Sequence, residues 1–325
     1  MRAVVLVGGQ GTRLRPLTLT TPKQMLPVGN RPMIEWVVGH LGQHGVERVV
    51  LSLGYRPDAF LAAYPSGMCA GVALQYAVED SPLDTAGAIR FAARAAGIEE
   101  TFLVVNGDVL TDLDVSALVD FHRARQAEAT IHLTPVEDPS RFGVVPTDED
   151  GRVEAFIEKP PRDEAPTNLI NGGTYVLEPS VLDRIPDDRP VSIERETFPA
   201  LVADRSLFAM ASSAAWVDAG TAATFLAANL RHASASCIGD GVAASATVQC
   251  SVLGSSVTIG PDAVVERSVL MDGCAVMAGA SVRDSVIGPE AVVEPSATVD
   301  ACSLIGPGAL VAQGAVVSAG RVPAP

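Results

Sequence analysis

Val4-Val5-Leu6-Val7-Gly8-Gly9-Gln10-Gly11-Thr12-Arg13-Leu14-Arg15-Pro16 sets a glycine-rich turn directly after a short apolar run. The aliphatic residues Val4 to Val7 read as a strand buried on both faces. Glycines at 8, 9 and 11 let the backbone take positive φ and bring N–H groups against phosphate oxygens with no Cβ in the way. The stretch is not a Walker A loop, because no Gly-Lys-Ser/Thr follows. It is not a dinucleotide fingerprint either, because Leu14 stands where the third glycine belongs. By spacing alone, two readings stand: a phosphate-binding loop, or an ordinary tight turn from strand to helix.

Outward from this turn, to about Asn229, β-rich apolar runs alternate with helical patterns. Val49 to Leu53, Val72 to Ala77 and Phe102 to Val105 read as strands. Pro32 to Leu41 reads as a helix, with Pro32 suited to its first turn and Ile34, Val37, Val38 and Leu41 on one face. Further helical patterns fall near Pro57 to Tyr64, Thr85 to Ala96 and Val115 to Gln126. Such alternation implies βαβ units and a Rossmann-like α/β domain with a mainly parallel sheet, covered on both faces. In such sheets ligands sit beyond the carboxyl ends of the strands.

The character changes after Ala227 to Ser236, a small-residue and polar stretch read as a linker, so the expected domains are 1–230 and 237–325. Aromatic residues stop at Phe225. A six-residue aliphatic register runs through Leu253, Ile259, Val265, Met271 and Met277, slips, and resumes at Ile287, Val293, Val299, Ile305, Val311 and Val317. IGPDAV, IGPEAV and IGPGAL are its clearest copies. Six residues are too few for a helical repeat unit but fit one face of a triangular coil with the aliphatic residue inside. The register resembles the left-handed parallel β-helix of hexapeptide-repeat domains.

The net charge of -15 and the lack of any Lys/Arg-rich run argue against a nucleic-acid or anionic-membrane surface. Val4 to Val7 is too short for the core of a signal peptide, and no apolar run approaches a membrane span, so a cytoplasmic protein is expected. Five cysteines (Cys69, Cys237, Cys250, Cys274, Cys302) without CxxC spacing suit neither a disulfide framework nor a zinc site. They read as small packing residues. Of 23 cationic residues only two, Lys23 and Lys159, are lysine.

The wider string GGQGTRLRPLT, then TPKQMLPVGNRPMIEW, resembles the signature of the sugar-1-phosphate nucleotidylyltransferases. The resemblance continues in order through PLDTAGAIR, VVNGDVL, DPSRFGVV, FIEKP, NLINGGTYVL, SIERETFPAL and WVDAGT, to about residue 225. DPSRFGVV, NGGTYVLEPSVLDRI and SIERETFPAL are most similar to the branch that joins GTP to mannose-1-phosphate, whose members also carry a C-terminal hexapeptide domain. The resemblance implies attack of a sugar-phosphate oxygen on the α-phosphorus of a nucleoside triphosphate, with pyrophosphate leaving in line. Such chemistry depends on positioning and charge neutralisation.

The implied roles fall on particular residues. Gly8, Gly9, Gly11 and Thr12 form the phosphate loop. Arg13 presents a planar fork to the leaving phosphates, and Lys23 a compact charge to the same group. Asp108, just past a strand end, and Asp218 in WVDAGT are the two carboxylates for Mg2+; by local pattern alone Asp218 also reads as a cap for the helix beginning near Thr221. Lys159 pairs with the attacking phosphate and Glu158 accepts from sugar hydroxyls, with Gly143 and Asn171 lining the same pocket. Asn171 equally suits a plain turn. Thr85 and Gly87 belong to the nucleotide side.

For the base, guanine offers N1–H and N2–H on one edge, which a carboxylate accepts better than an amide. Glu79 or Asp80 is therefore the expected reader, a solvated acidic turn being the alternative. Asp84 replaces the family's usual glycine, which bears on base choice, and thymidylyl or uridylyl transfer to glucose-1-phosphate is the alternative activity. An acyltransferase role for the repeats is disfavoured, since none of the five histidines lies in them. A non-catalytic regulatory relative would have lost active-site charges that are all present here. The β-helix then serves assembly into a homo-oligomer.

Overall fold

The N-terminal aliphatic run becomes strand β1 (Arg2–Leu6), flanked on both sides within one sheet, with Ala3, Val4 and Val5 fully buried. The computed structural model describes residues 1–54, 56–231 and 241–323. The expected elements follow with ends displaced by a residue or two: α1 (Met33–Gln43), β2 (Arg48–Leu53), α2 (Pro57–Ala63), β3 (Val72–Val78), α3 (Asp84–Ala95), β4 (Phe102–Asn106) and α4 (Val115–Arg125). Strands β4, β1, β2 and β3 lie side by side in that order and are all parallel. Their carboxyl ends are level, with Leu6 paired to both Asn106 and Ser52.

Past β4 the sheet becomes mixed, with strands in both directions. β5 (Ala129–Pro135), β6 (Gly143–Val144), β7 (Ile157–Glu158), β8 (Leu169–Leu177) and β9 (Leu207–Ala211) make up this half. β8 pairs antiparallel with β4, β5 and β6, and the register with β5 shifts between Asn171 and Tyr175. Phe102, Tyr175, Phe198 and Leu201 anchor the core under this half.

By packing, the chain separates into two compact units: Met1–Gly9 with Glu35–Trp216, and Gln10–Ile34 with Val217–Pro325. In the second, α5 (Ala222–Arg231) lies on the hairpin of Pro27–Val28 and Arg31–Pro32. The Gly29 N–H donates to Asn229 Oδ1 at 3.0 Å, and Asn30 Nδ2 donates to the Leu253 carbonyl at 2.6 Å. The stretch expected as a linker is therefore helical from Ala227 to Arg231, held by buried Phe225, Ala228 and Asn229; the rest of it, 232–236, lies outside the described residues.

From 241 onward the repeats form three stacks of parallel strands, as a parallel β-helix requires. Leu253, Leu270, Ile287, Ile305 and Val322 lie in one column, and Ile259, Val276, Val293 and Val311 in the next. The six-residue register needs one correction. Leu270 and Val276, not Met271 and Met277, enter the core, and Met277 is 43% exposed. In most coils one face is a residue short, so equivalent positions recur 17 apart, as Val265 and Val282 do, whereas the coil from Ile287 to Ile305 has the full 18. The short corner carries a buried serine: Ser268, Ser285 and Ser303 each donate a backbone N–H to the hydroxyl of the serine one coil before, at 3.1–3.2 Å. This ladder satisfies polar groups that the tight corner would otherwise leave buried and unpaired.

Of the cysteines, Cys69 and Cys274 are buried and Cys250 is exposed; Cys237 lies outside the described residues. Among the described residues no helix is long and apolar enough to cross a membrane.

Candidate active site

In the first unit, the loops after three of the four adjacent parallel strands, β1, β3 and β4, carry expected site residues. Gly8 and Gly9 follow β1, and an added Cβ at either would meet nothing within 4 Å, so their backbone is open to a ligand. Gly9 has φ +96. Beside them the Asn106-Gly107-Asp108 turn follows β4. The Gly107 N–H donates to the Leu6 carbonyl at 2.9 Å, and a Cβ there would sit 2.8 Å from the same oxygen. Only glycine lets this turn lie so close to β1, and that contact fixes Asp108 next to the start of the glycine loop.

Glu79 follows β3 and is occupied by its own turn: Oε1 accepts from Ser52 Oγ at 2.9 Å and Oε2 from the Leu83 N–H at 3.2 Å. Asp80 is exposed beside it. Glu79, Asp80 and Gly87 line an open cleft of about 590 Å³ that continues past Arg90 and Phe91. The Thr85 hydroxyl is engaged within the fold. It donates to Glu194 Oε2 at 2.7 Å and accepts from the Ile193 N–H at 2.8 Å, tying α3 to the SIERETF segment. Asp84 has φ +59, the conformation that favours glycine, and its Oδ1 accepts from the adjacent Thr85 N–H at 2.7 Å. The exposed side chain folds onto its own turn.

The sugar-phosphate candidates do come together. Gly143 is paired with Glu158, and a Cβ at 143 would press on Phe156 and stand 3.2 Å from Glu158 Oε2. Lys159 Nζ contacts Glu158 Oε1 at 2.6 Å, and its N–H donates to the Phe142 carbonyl at 3.0 Å. Lys159 also has φ +51. A left-handed lysine costs about 1–2 kcal/mol, a conformation it shares with sixteen other non-glycine residues among those described. Asn171 serves the bulge in β8: Nδ2 donates to the Tyr175 hydroxyl at 2.9 Å and Oδ1 accepts from the Gly173 N–H at 2.9 Å. Complete burial pushes the Tyr175 phenol up, keeping it neutral. Trp216, which the sequence reading passed over, closes this corner. Its Nε1 donates to the Gly172 carbonyl at 2.9 Å and its ring stands edge-on to Phe142.

In the second unit, Gln10–Leu26 runs as three successive 3-10 turns, pinned by fully buried Leu14 and Leu17. Gly11 has φ +59, and a Cβ there would lie 2.9 Å from Thr18 Cγ2 and 3.2 Å from Lys23 Cβ, so the glycine holds Lys23 close to the loop. Thr12 and Arg13 are exposed. Asp218 is not the helix cap; Thr221 is, since its Oγ1 accepts from the Thr224 N–H at 3.2 Å. Asp218 Oδ1 accepts from the Gly220 N–H at 2.8 Å. An ideal Cβ on Gly220 would stand 2.7 Å from both Arg13 Nη2 and Asp218 Oδ1. Arg13 and Asp218 therefore share the space that this glycine leaves, a role that WVDAGT hinted at only by containing the residue.

The profile described as nucleotidyl transferase matches residues 2–235, and that of the GMPPB C-terminal domain matches 233–325. The chain belongs to the nucleotidyl transferase family. It is 41% identical over 300 residues to a mannose-1-phosphate guanylyltransferase of Mycobacterium tuberculosis, covering 86% of this chain and 82% of that one. To a probable mannose-1-phosphate guanylyltransferase 1 of Oryza sativa subsp. japonica it is 39% identical over 304 residues, covering 87% and 83%. Among solved structures, HddC from Yersinia pseudotuberculosis complexed with GMP-PN superposes with a TM-score of 0.61 at 27% identity, over 71% of this chain and 98% of that one.

Nucleotidyl transferases of this family typically use a divalent metal. Among the described residues no three His, Cys, Asp or Glu side chains gather into a metal site. Asp108 and Asp218 offer oxygen donors only. Mg2+ takes one or two carboxylates and fills its shell from phosphates and water, so each of these side chains is a ligand type it accepts.

Proposed function

We propose that this nucleotidyl transferase carries the guanylyl group of GTP to mannose-1-phosphate, giving GDP-mannose and pyrophosphate. An oxygen of the sugar phosphate forms a bond to the α-phosphorus while the bond to the β-phosphate bridging oxygen breaks. The backbone of Gly8, Gly9, Gly11 and Thr12 receives the triphosphate. Arg13 and Lys23 neutralise the leaving pyrophosphate, and Lys159 holds the attacking phosphate while Glu158 accepts from the sugar hydroxyls. Mg2+, held by Asp108 and Asp218, would draw charge from the phosphate oxygens. Gly143 and Asn171 shape the sugar pocket. Glu79 or Asp80 reads guanine; Glu79 keeps acceptor capacity because a carboxylate has about four lone-pair sites and two are taken.

The observation that carries the reading is Lys159: a lysine held against Glu158 beside Gly143. With both substrates anionic, an exposed cation fixed beside Glu158 and Gly143 has a phosphate to meet. The relatives named for mannose-1-phosphate, and the neighbour solved with GMP-PN, support the sugar and the base. We assign the reaction to the cytoplasm. We assign the β-helix to self-association, supported by Leu310 and Val316, 57% and 71% exposed; a native mass equal to one chain would remove that part.

Pyrophosphate release, measured with Mg2+ over four nucleoside triphosphates and four hexose-1-phosphates, tests the pairing. GTP with mannose-1-phosphate is expected to give the highest kcat/KM, and any better pair defeats the assignment. Lys23→Ala is expected chiefly to lower kcat, and Lys159→Ala chiefly to raise the KM for sugar phosphate. Wild-type kinetics in either variant removes that lysine from the site.

A further inference from the structure

We propose that the last coil of the β-helix positions the phosphate loop, with Arg321 as the positioning residue for Arg13. The inference rests on the reading of Arg13 as a phosphate ligand. Within the second unit the Arg321 guanidinium, through Nη2, donates to the Arg13 backbone carbonyl at 2.9 Å, across 308 residues of chain. The loop's own turns explain why that carbonyl is the one addressed. Gly11 and Thr12 carbonyls accept from the Leu14 and Arg15 N–H groups, closing the 3-10 turn, whereas the Arg13 carbonyl points to Arg321.

A second contact is independent of the first. Pro16, buried at the end of GGQGTRLRP, rests on Gly306 of the last clear repeat copy, Ile305-Gly306-Pro307. A Cβ at 306 would lie 3.0 Å from Pro16 Cβ and Cγ and 2.7 Å from Pro323 Cδ. The two supports are rigidly joined, because Leu304 pairs with Arg321 and Ile305 with Val322. The Leu304 N–H donates to the Gly320 carbonyl at 3.0 Å, and the Gly306 N–H donates to the Val322 carbonyl.

A loop in which Gly9 and Gly11 both take positive φ has little stiffness of its own, and the Arg13 side chain is exposed. Arg13 is nonetheless bounded on two sides. Its guanidinium lies over Gly220 with Asp218, and its carbonyl is held by a charge-assisted donor mounted on a β-helix coil. Fixing the backbone atom next to a phosphate ligand lowers the ordering that binding requires. The β-helix thus acts on the nucleotide side of the reaction as well as in assembly.

The test uses the full-length protein with Arg321→Ala, Arg321→Lys and Gly306→Ala. Arg321→Ala is expected to lower kcat/KM for the nucleoside triphosphate roughly three- to tenfold, the scale of one hydrogen bond to a charged donor. It is expected to leave the sugar-phosphate KM within about twofold and the thermal midpoint within about 3 °C. Arg321→Lys restores most of the loss, because an ammonium also donates to a carbonyl. Gly306→Ala, which pushes on Pro16, shifts the same parameter the same way. Titration calorimetry with Mg·GTP should show matching changes in affinity. Wild-type triphosphate kinetics in Arg321→Ala overturn the proposal, as does a loss spread equally over both substrates together with a fall in stability. If the wild type neither binds Mg·GTP nor releases pyrophosphate, the proposed function fails and takes this inference with it; an active wild type with an indifferent Arg321→Ala defeats the inference alone.

Discussion

Replacing Gly220 by alanine adds one methyl group where Arg13 and Asp218 meet. The Cβ would stand 2.7 Å from Arg13 Nη2 and 2.7 Å from Asp218 Oδ1, whereas ordinary van der Waals contact begins near 3.4 Å. Each group must therefore retreat by about 0.7 Å, and because they approach from different atoms of the site their spacing changes by up to about 1 Å. A misplacement of that size costs up to about 100-fold in a reaction that depends on aligned charges. The expected result is a 10- to 100-fold fall in kcat for pyrophosphate release. Folding should barely notice. Gly220 does not lie in the positive-φ region, so alanine removes freedom from the unfolded chain, worth about 0.4–1 kcal/mol, which offsets the crowding. The paired assay is steady-state turnover with thermal unfolding of the same preparation. A folded Gly220→Ala protein with kcat within about twofold of wild type would refute the placement of Arg13 and Asp218 in the reaction.

Two further predictions concern stability. At Asp84, φ +59 should make the order of stability glycine at least equal to aspartate, and aspartate above alanine, over about 1–2 kcal/mol, with the preferred triphosphate unchanged in all three; an alanine variant as stable as glycine would contradict it. His132 is buried beneath the Gly172 turn, which pushes its imidazole down to about 4, and His122 is shifted in the same direction by burial. Between pH 6.5 and about 4 the unfolded chain takes up the proton that folded His132 refuses, so its contribution is complete above about 6.5 and fades by about 3 kcal/mol as the pH falls to 4. Denaturant unfolding across that range should be flatter for His132→Gln than for wild type, and parallel curves would remove His132 as the cause.

How far the sequence is legible depends on how local each determinant is. The central strands needed only their own composition: Val4, Val50 and Val104 are apolar because both faces of a parallel strand are covered, and the helices between them announce a 3.6-residue period. The coil registry was legible up to Val265 and then misread, because Leu270-Met271 and Val276-Met277 offer two aliphatic residues in a row. What decides between them is the five-residue serine corner, whose hydrogen bonds run between coils and not along the chain. The place of Thr85 in PLDTAG does not show that its hydroxyl is engaged by Glu194, 109 residues away. Glycines divide in the same manner. Gly9 and Gly11 show their purpose in a string of three, whereas Gly220 and Gly306 are justified only by what a Cβ would strike.

The cations extend the argument to function. Lys23 and Lys159 stood out because lysine is rare in this chain, and each lies in a motif of its own. Arg321 is one of 21 arginines in a stretch without chemical signature, so no count or spacing could mark it. Its partner is a backbone carbonyl at the other end of the chain, a group that every residue possesses. Side chains that touch substrate must carry particular chemistry and so leave a trace in the sequence. A residue that only holds another in place needs no more than a donor at the right coordinates, and coordinates are what the fold supplies. If Arg321 governs triphosphate kinetics as proposed, the rate of this enzyme is set partly by residues whose identity is ordinary and whose position is not.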